Sequence, residues 1–426
     1  MNLLDRLGAK LSDPSRMRVY PVMLAAVPLL AWGVSLASRR GLVDSSGNLI
    51  GADFVEFYMA GTFARTGRID ALASLFEQRQ FQESVAAPIP LEGFTPWLNP
   101  PFFAYVFAPL SALPYMVALA CFWALGLATF IITLSFARRL LGLVPSRGRL
   151  FVLAASYFPT MAWFMFGQTS AWSLALMTAS VAGLLSGRDL LAGLLLGCFA
   201  YKPQLAVGIG TALILARRWR AVLGAFASGL GLFGLSYLLI PSVTRAWILG
   251  TFGLLTFNRQ VDHRIWGQAS FFEASVLLLD SVSHALAGLV SGLLTVASVV
   301  GLAVLWRRVP WRPEHPSFRL ALAATLAVSL LVSPHLYFYD LMLMLLPGAL
   351  VLSVLPSLPV TSPDARTPIL SATAWVYFLG LTSPYLALAQ VGLTTKLTGA
   401  PVALQLETIA IAVWGWRVGR RAIAVA

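Results

Sequence analysis

Charge is scarce in this 426-residue chain: 11% of positions are charged, against about a quarter in an ordinary soluble domain. With 58% hydrophobic residues and a mean hydropathy of +0.79, the apolar runs exceed what soluble cores can hide. That excludes a string of soluble domains and points to a multi-spanning membrane protein. Cysteine is nearly absent: Cys121 and Cys198 both lie inside apolar segments, which excludes a disulfide framework and a cysteine metal site. No His/Cys/carboxylate spacing marks a tight metal site. A Gly-rich phosphate loop of the kind a nucleotide-sugar donor would use is missing, and no obvious repeat relates the two halves. The first apolar run, about 19–36, lacks a convincing small-residue cleavage site before Arg39 and Arg40, so it reads as a retained first span.

What is present is basic. Thirty Lys and Arg against 17 Asp and Glu give a net charge of +13. The basic residues come as short clusters between apolar runs, the pattern of positive charge kept on cytoplasmic loops and not of a nucleic-acid binder. Taking ~20 apolar residues per crossing gives about twelve candidate spans: 19–38, 114–137, 150–166, 168–186, 190–202, 203–216, 221–241, 286–305, 318–333, 337–356, 369–389 and 401–416. With Arg6, Lys10, Arg16 and Arg18 in the cytoplasm, the clusters Arg138/Arg139/Arg147/Arg149, Arg188, Arg217/Arg218/Arg220, Arg307/Arg308 and Arg417/Arg420/Arg421 fall on the same side. Arg39 and Arg40 are the clearest exceptions. The segment PPFFAYVFAPLSALP, 100–114, is apolar but short and studded with proline, so it reads as interfacial or re-entrant.

This topology gathers the polar residues on the non-cytoplasmic side. The first outer loop, 39–99, carries Asp53 and Glu56, three apart and therefore on one face of a short helix. Gln168 in FGQTSAW and Lys202 and Gln204 in YKPQ lie at the next turns, a second outer loop spans 242–273, and SPHLYFYD brings His335 and Asp340. Each has a plainer reading. Asp53 reads as a solvated loop acid, Lys202 as a snorkelling side chain and His335 as an interfacial anchor. Gln168 reads as an interhelical hydrogen bonder, and Trp97, Trp163, Trp172 and Trp266 as an aromatic belt. Ionisable groups at membrane depth nevertheless default to a functional hypothesis.

Taken in order, DFVEFYMAGTFARTG, WLNPPFFAYVFAPLSALP, FGQTSAWSLAL, AGLLLGCFAYKPQLAVGIGTALILARRWRA and SPHLYFYDLMLMLLP resemble glycosyltransferase family 87. These are the polyprenol-phosphate-mannose-dependent mannosyltransferases of the GT-C superfamily, and the resemblance runs from about residue 50 to 350. It implies an all-α polytopic GT-C-like bundle of about twelve transmembrane helices, with a long first outer loop carrying short amphipathic helices, as a single membrane domain over 1–426. It implies an inverting transfer of a sugar, most naturally mannose, from a polyprenyl-phosphate donor to a glycolipid or polysaccharide hydroxyl. That chemistry needs no metal or other cofactor and no nucleic-acid partner. The site would face the periplasmic side of the inner (plasma) membrane, among its lipids.

By the same resemblance, Asp53 matches the acid of the first outer loop and would act as general base, with Glu56 second. Lys202 and His335 match the KP and SPH motifs and would meet the donor phosphate, together with Arg264, which rests only on its place in an outer loop. Gln168, Gln268, Tyr58, Asn99 and Asp340 are expected around the substrate. WGQAS, holding Gln268, resembles an Asn-Gln-Ser signature only loosely, since glycine replaces the asparagine and alanine follows Gln268. Transfer of an arabinofuranosyl or other hexosyl unit, or a transporter or flippase of lipid-linked sugar, fits the composition as well. Against the transporter stands the long acid-bearing outer loop.

Overall fold

The computed structural model describes residues 3–250, 267–358 and 367–426. Among these, all regular structure is helical, with isolated β-bridges and no strand. Six helices are long and apolar enough to cross a membrane: Arg16–Ala37, Tyr115–Leu141, Trp219–Leu239, His284–Arg308, Phe338–Ser357 and Pro368–Thr398. The pair Arg147–Ser156 and Phe158–Phe166, bent by 70°, makes a seventh if it forms one span. Pro159 sits in the first turn of the second half, where its missing N–H and its constraint on the preceding residue favour a fresh helix start over a continuous one.

Twelve crossings were expected, and the difference lies in length. Ser170–Leu185, Asp189–Tyr201, Pro203–Leu215 and Pro316–Leu331 are apolar but short. A 16-residue helix such as Ser170–Leu185 rises ~24 Å, less than the ~30 Å of a bilayer's hydrocarbon core. Hydropathy does not separate a spanning helix from a shorter one buried in the bundle, because both are apolar. The long helices carry the lipid-facing surface. Along Trp219–Leu239, Leu223, Phe226, Leu230 and Leu238 stand well exposed, which suits hydrocarbon as solvent.

Two apolar cores organise the chain. The larger runs through the bundle, centred on Pro316–Leu331 and Leu406–Val425. The smaller is an aromatic lobe built from residues 43–122 with Tyr201, Ile240 and Val243. Phe57, Phe103, Phe107 and Phe122 pack ring on ring there, and Tyr201 stacks on Phe103 with centroids 4.5 Å apart. The Phe54–Arg65 helix lies in the first outer loop, where short amphipathic helices were expected. Instead eight of its twelve residues are buried, because it runs beneath the short turns Pro101–Phe103, Ala104–Phe107 and Leu110–Ala112. Those turns are the whole regular structure of 100–114, so that segment forms no helix long enough to cross. The tryptophans likewise depart from a belt: Trp97 and Trp163 are buried in the two cores, Trp172 stacks on Phe107 inside the lobe, and Trp266 lies outside the described residues.

All four short helices share one polarity. Each has one end beside an arginine: Arg188, Arg217/Arg218 or Arg312. Leu140, Leu185 and Gly187 line a common cleft with Pro313 and Arg319, and Arg218 pairs with Asp189. The other ends of the short helices are Ser170, Lys202 and Ser333. The molecule therefore has a basic pole and a polar pole.

Candidate active site

The polar pole begins with a strained turn. Gly51 (φ +81°) is followed by Ala52 at φ +32°, a conformation that costs a non-glycine residue about 1–3 kcal/mol. Three backbone bonds hold it: Ala52 N–H to Leu49 O at 2.7 Å, Phe54 N–H to Gly51 O at 2.6 Å and Asp53 N–H to Phe166 O at 2.9 Å. The last ties the lobe to the bundle at the end of Phe158–Phe166, where Gly167 closes the helix at φ +65°. A Cβ on Gly167 would stand 2.8 Å from Phe54 Cβ and 2.9 Å from Gly51 O, so the two turns touch only because residue 167 has no side chain. The FGQ motif is thus a docking surface, and its next residue is Gln168.

Asp53 occupies the N-cap position of Phe54–Arg65 but makes no capping bond with its side chain, unlike the usual Asp at that position. Its Oδ2 accepts from Gln168 Nε2 at 3.0 Å. The same nitrogen donates to Glu56 Oε1 at 3.3 Å. Asp53 is 8% exposed and Glu56 5%, so neither is a solvated loop acid. Burial pushes the Glu56 carboxyl well above the usual carboxylate range, and the negative charge of Asp53 adds to the shift, with Lys202 and Gln168 opposing it. Glu56 is therefore harder to ionise than an exposed glutamate.

Lys202 faces them from the other side. Pro203 disfavours helical geometry in the residue before it, and Lys202 (φ −139°, ψ 64°) accordingly separates the turns Cys198–Tyr201 and Pro203–Ala206 at the tip of a hairpin of short helices. Its Nζ lies 3.1 and 3.2 Å from the two oxygens of Asp340, 3.5 Å from Gln168 Oε1 and 5.4 Å from the Tyr339 ring centre. Ser170 Oγ donates to Asp340 Oδ1 at 2.7 Å. Lys202 is buried and paired, and does not snorkel.

His335 joins the same region from the loop after Pro316–Leu331. Ser333 Oγ donates to the His335 carbonyl at 2.7 Å, and the imidazole lies edge-on to Tyr337. Desolvation lowers its pKa to about 4, Asp340 opposing and Lys202 adding to the shift, so the ring is neutral at pH 7. Gln268 pairs with Tyr337 across an isolated bridge, and Ala269 N–H donates to Leu336 O at 2.8 Å. The Gln268 side-chain oxygen is buried without a hydrogen-bond partner among the described residues.

The structure thus brings Asp53, Glu56, Gln168, Lys202 and Asp340 into one hydrogen-bonded cluster, with His335 and Gln268 on the adjoining loop. Tyr58 does not join them: its hydroxyl donates to Leu113 O at 3.0 Å inside the lobe. Asn99 is buried at the end of a segment fixed by the Gln78 and Gln82 side chains, which bond the backbone of Trp97 and Thr95; no side-chain hydrogen bond joins it to the cluster among the described residues. Arg264 lies outside the described residues. Sequence reasoning missed Ser170, although it stands two residues after Gln168. It also missed Gln405 and Thr408, whose side chains bond the carbonyls of Gln268 and Ala269 at 2.8 and 3.1 Å and which no local pattern marks. No group of three or more His, Cys, Asp or Glu able to hold a metal ion occurs among the described residues.

The model of glycosyltransferase family 87 matches residues 97–334, more than half of the chain. The chain belongs to glycosyltransferase family 87. The matched stretch contains Gln168, Lys202 and Gln268, while Asp53, Glu56, His335 and Asp340 lie outside it. The chain is also 29% identical over 209 residues to a polyprenol-phosphate-mannose-dependent alpha-(1-2)-phosphatidylinositol pentamannoside mannosyltransferase of Mycolicibacterium smegmatis (strain ATCC 700084 / mc(2)155), covering 48% of each. The chain thus spans about half the length of that curated relative. No solved structure matches. For a family 87 member, the cluster's composition is informative: a buried acid, a buried lysine and a neutral histidine meet at the end of a helical bundle.

Proposed function

We propose that the chain transfers a sugar, mannose in the first instance, from a polyprenyl-phosphate donor to a hydroxyl of a glycolipid or polysaccharide. The observation that carries this reading is the cluster itself. One amide, Gln168, joins a carboxylate suited to take a proton with a lysine suited to meet a phosphate. The acceptor oxygen attacks the anomeric carbon, its proton passes to Asp53, and the carbon–oxygen bond to phosphate breaks, the electron pair leaving with polyprenyl phosphate. Lys202 and neutral His335 face the charge that grows on the phosphate. Because polyprenyl phosphate is already a good leaving group, one base is enough for a single displacement, which inverts the anomeric centre.

The Mycolicibacterium relative's polyprenol-phosphate-mannose dependence and phosphatidylinositol pentamannoside specificity support a lipid-linked sugar and a glycolipid partner. The basic pole, read by the positive-inside rule, supports a site on the extracytoplasmic face of the inner membrane. There the short helices complete a bundle of about twelve membrane segments, and the donor's isoprenoid chain lies along lipid-facing helices while its phosphate reaches Lys202.

The test is transfer of radiolabelled mannose from polyprenyl-phosphate-mannose to a membrane lipid extract by purified protein. Asp53→Asn is expected to lower turnover at least ~100-fold, the scale of a lost general base, and a chelator to leave the wild-type rate unchanged. An equally active Asp53→Asn variant removes Asp53 as the base. An inactive wild type with this donor, active with another polyprenyl-phosphate sugar, reassigns the sugar.

A further inference from the structure

We propose that Gln168 is a positioning residue that sets the basicity of Asp53 and its alignment with Lys202, and that it does not bind the sugar. This builds on the assignment of Asp53 as the base and revises the expectation that Gln168 contacts substrate. A side-chain amide offers two N–H donors and a carbonyl with two lone pairs. In Gln168 all four are engaged within the protein. Nε2 donates to Asp53 Oδ2 at 3.0 Å and to Glu56 Oε1 at 3.3 Å. Oε1 accepts from Thr169 N–H at 3.3 Å and lies 3.5 Å from Lys202 Nζ. The side chain is 4% exposed, which leaves a sugar hydroxyl no surface to meet.

The amide's orientation is fixed by the same contacts. Turned over, its carbonyl would confront two carboxyl groups and its NH2 a lysine. Gln168 therefore reads opposite charges at its two ends and holds them at a set separation. It also acts on the base directly, because an N–H aimed at a carboxylate favours the ionised form. Among the described residues, groups around Asp53 include Glu56 on its own helix, Tyr115 from Tyr115–Leu141, whose hydroxyl donates to Ile50 O at 2.8 Å, and Lys202 with its partner Asp340 across the site.

The experiment uses the full-length protein in detergent, polyprenyl-phosphate-mannose as varied donor and a saturating lipid extract as acceptor. Gln168→Met keeps the bulk and removes the hydrogen bonds; Gln168→Ala removes both. For Gln168→Met, kcat is expected to fall ~10- to 100-fold with the donor KM within about threefold. The acid limb of the kcat/KM profile is expected to move to higher pH by about one unit, since a carboxylate that loses a donor becomes harder to ionise. A raised KM with an unmoved acid limb overturns the proposal and returns Gln168 to the substrate, as does a wild-type profile in both variants. Thermal unfolding monitored by tryptophan fluorescence separates these outcomes from misfolding, and Gln168→Met is the variant expected to melt with the wild type. An active Asp53→Asn enzyme overturns the underlying assignment instead, whatever Gln168→Met does.

Discussion

Glu56 shows how a residue's surroundings decide its role. Three residues from Asp53 in sequence, it is chemically equivalent as a base, but burial and its neighbour's charge push its pKa well above the ordinary range. Glu56→Gln keeps the shape and fixes the neutral form, and is expected to keep transfer at pH 7 within about fivefold, measured in the assay that exposes Asp53→Asn. The raised pKa also makes stability depend on pH. Because the folded-state pKa lies above the ordinary 4.5, folded protein holds more protons than unfolded protein over that interval, so this group's contribution is present at and below pH 4.5 and is lost as pH rises through the folded value. Glu56→Gln has no such loss. The melting temperature of the variant relative to wild type is expected to climb from pH 5 to pH 8, and a constant difference would show that Glu56 is not held protonated.

Among the elements, the short helices and the turns between them place the site. Pro203 keeps Lys202 out of either helix, and Gly167 lets the lobe's strained turn touch the bundle. Gly167→Ala is expected to destabilise the protein by about 2 kcal/mol or more, from a left-handed residue with a side chain and from overpacking against Phe54, and to cut transfer over tenfold by parting Asp53 from Gln168. Gly142 is the matched control: it has φ +63° and open space around its Cβ position. Gly142→Ala carries only the conformational cost, about 1 kcal/mol, and is expected to leave activity unchanged. Equal losses from the two, in denaturant melts and transfer assays, would show that the close approach at Gly167 does not matter.

At the scale of the whole molecule, the two poles make the orientation testable. Phe76 in the lobe is 76% exposed and Val144 at the basic pole 83%. With Cys121 and Cys198 replaced by alanine, Phe76→Cys is expected to react with an impermeant maleimide applied to intact spheroplasts, and Val144→Cys only after the membrane is opened. The reverse pattern would place the cluster in the cytoplasm.

The membrane class and the candidate residues were legible because they rest on composition and local chemistry: apolar runs, arginine clusters and short motifs such as FGQ, KP and SPH. Those three motifs hold Gln168, Lys202 and His335, and DFVEF and LYFYD hold Asp53, Glu56 and Asp340, without showing how they meet. Span number was not legible, since hydropathy is the same for a helix that crosses and a shorter one enclosed by others. The Phe54–Arg65 helix read as amphipathic because nothing in its own sequence reveals the aromatic turns that cover it. Only the tertiary structure decided that Glu56 is desolvated beside Asp53, that Lys202 is already paired with Asp340, and that Tyr58 turns away into the lobe. Those properties depend on desolvation and on partners 55 to 138 residues distant, and a local stretch of chain carries neither.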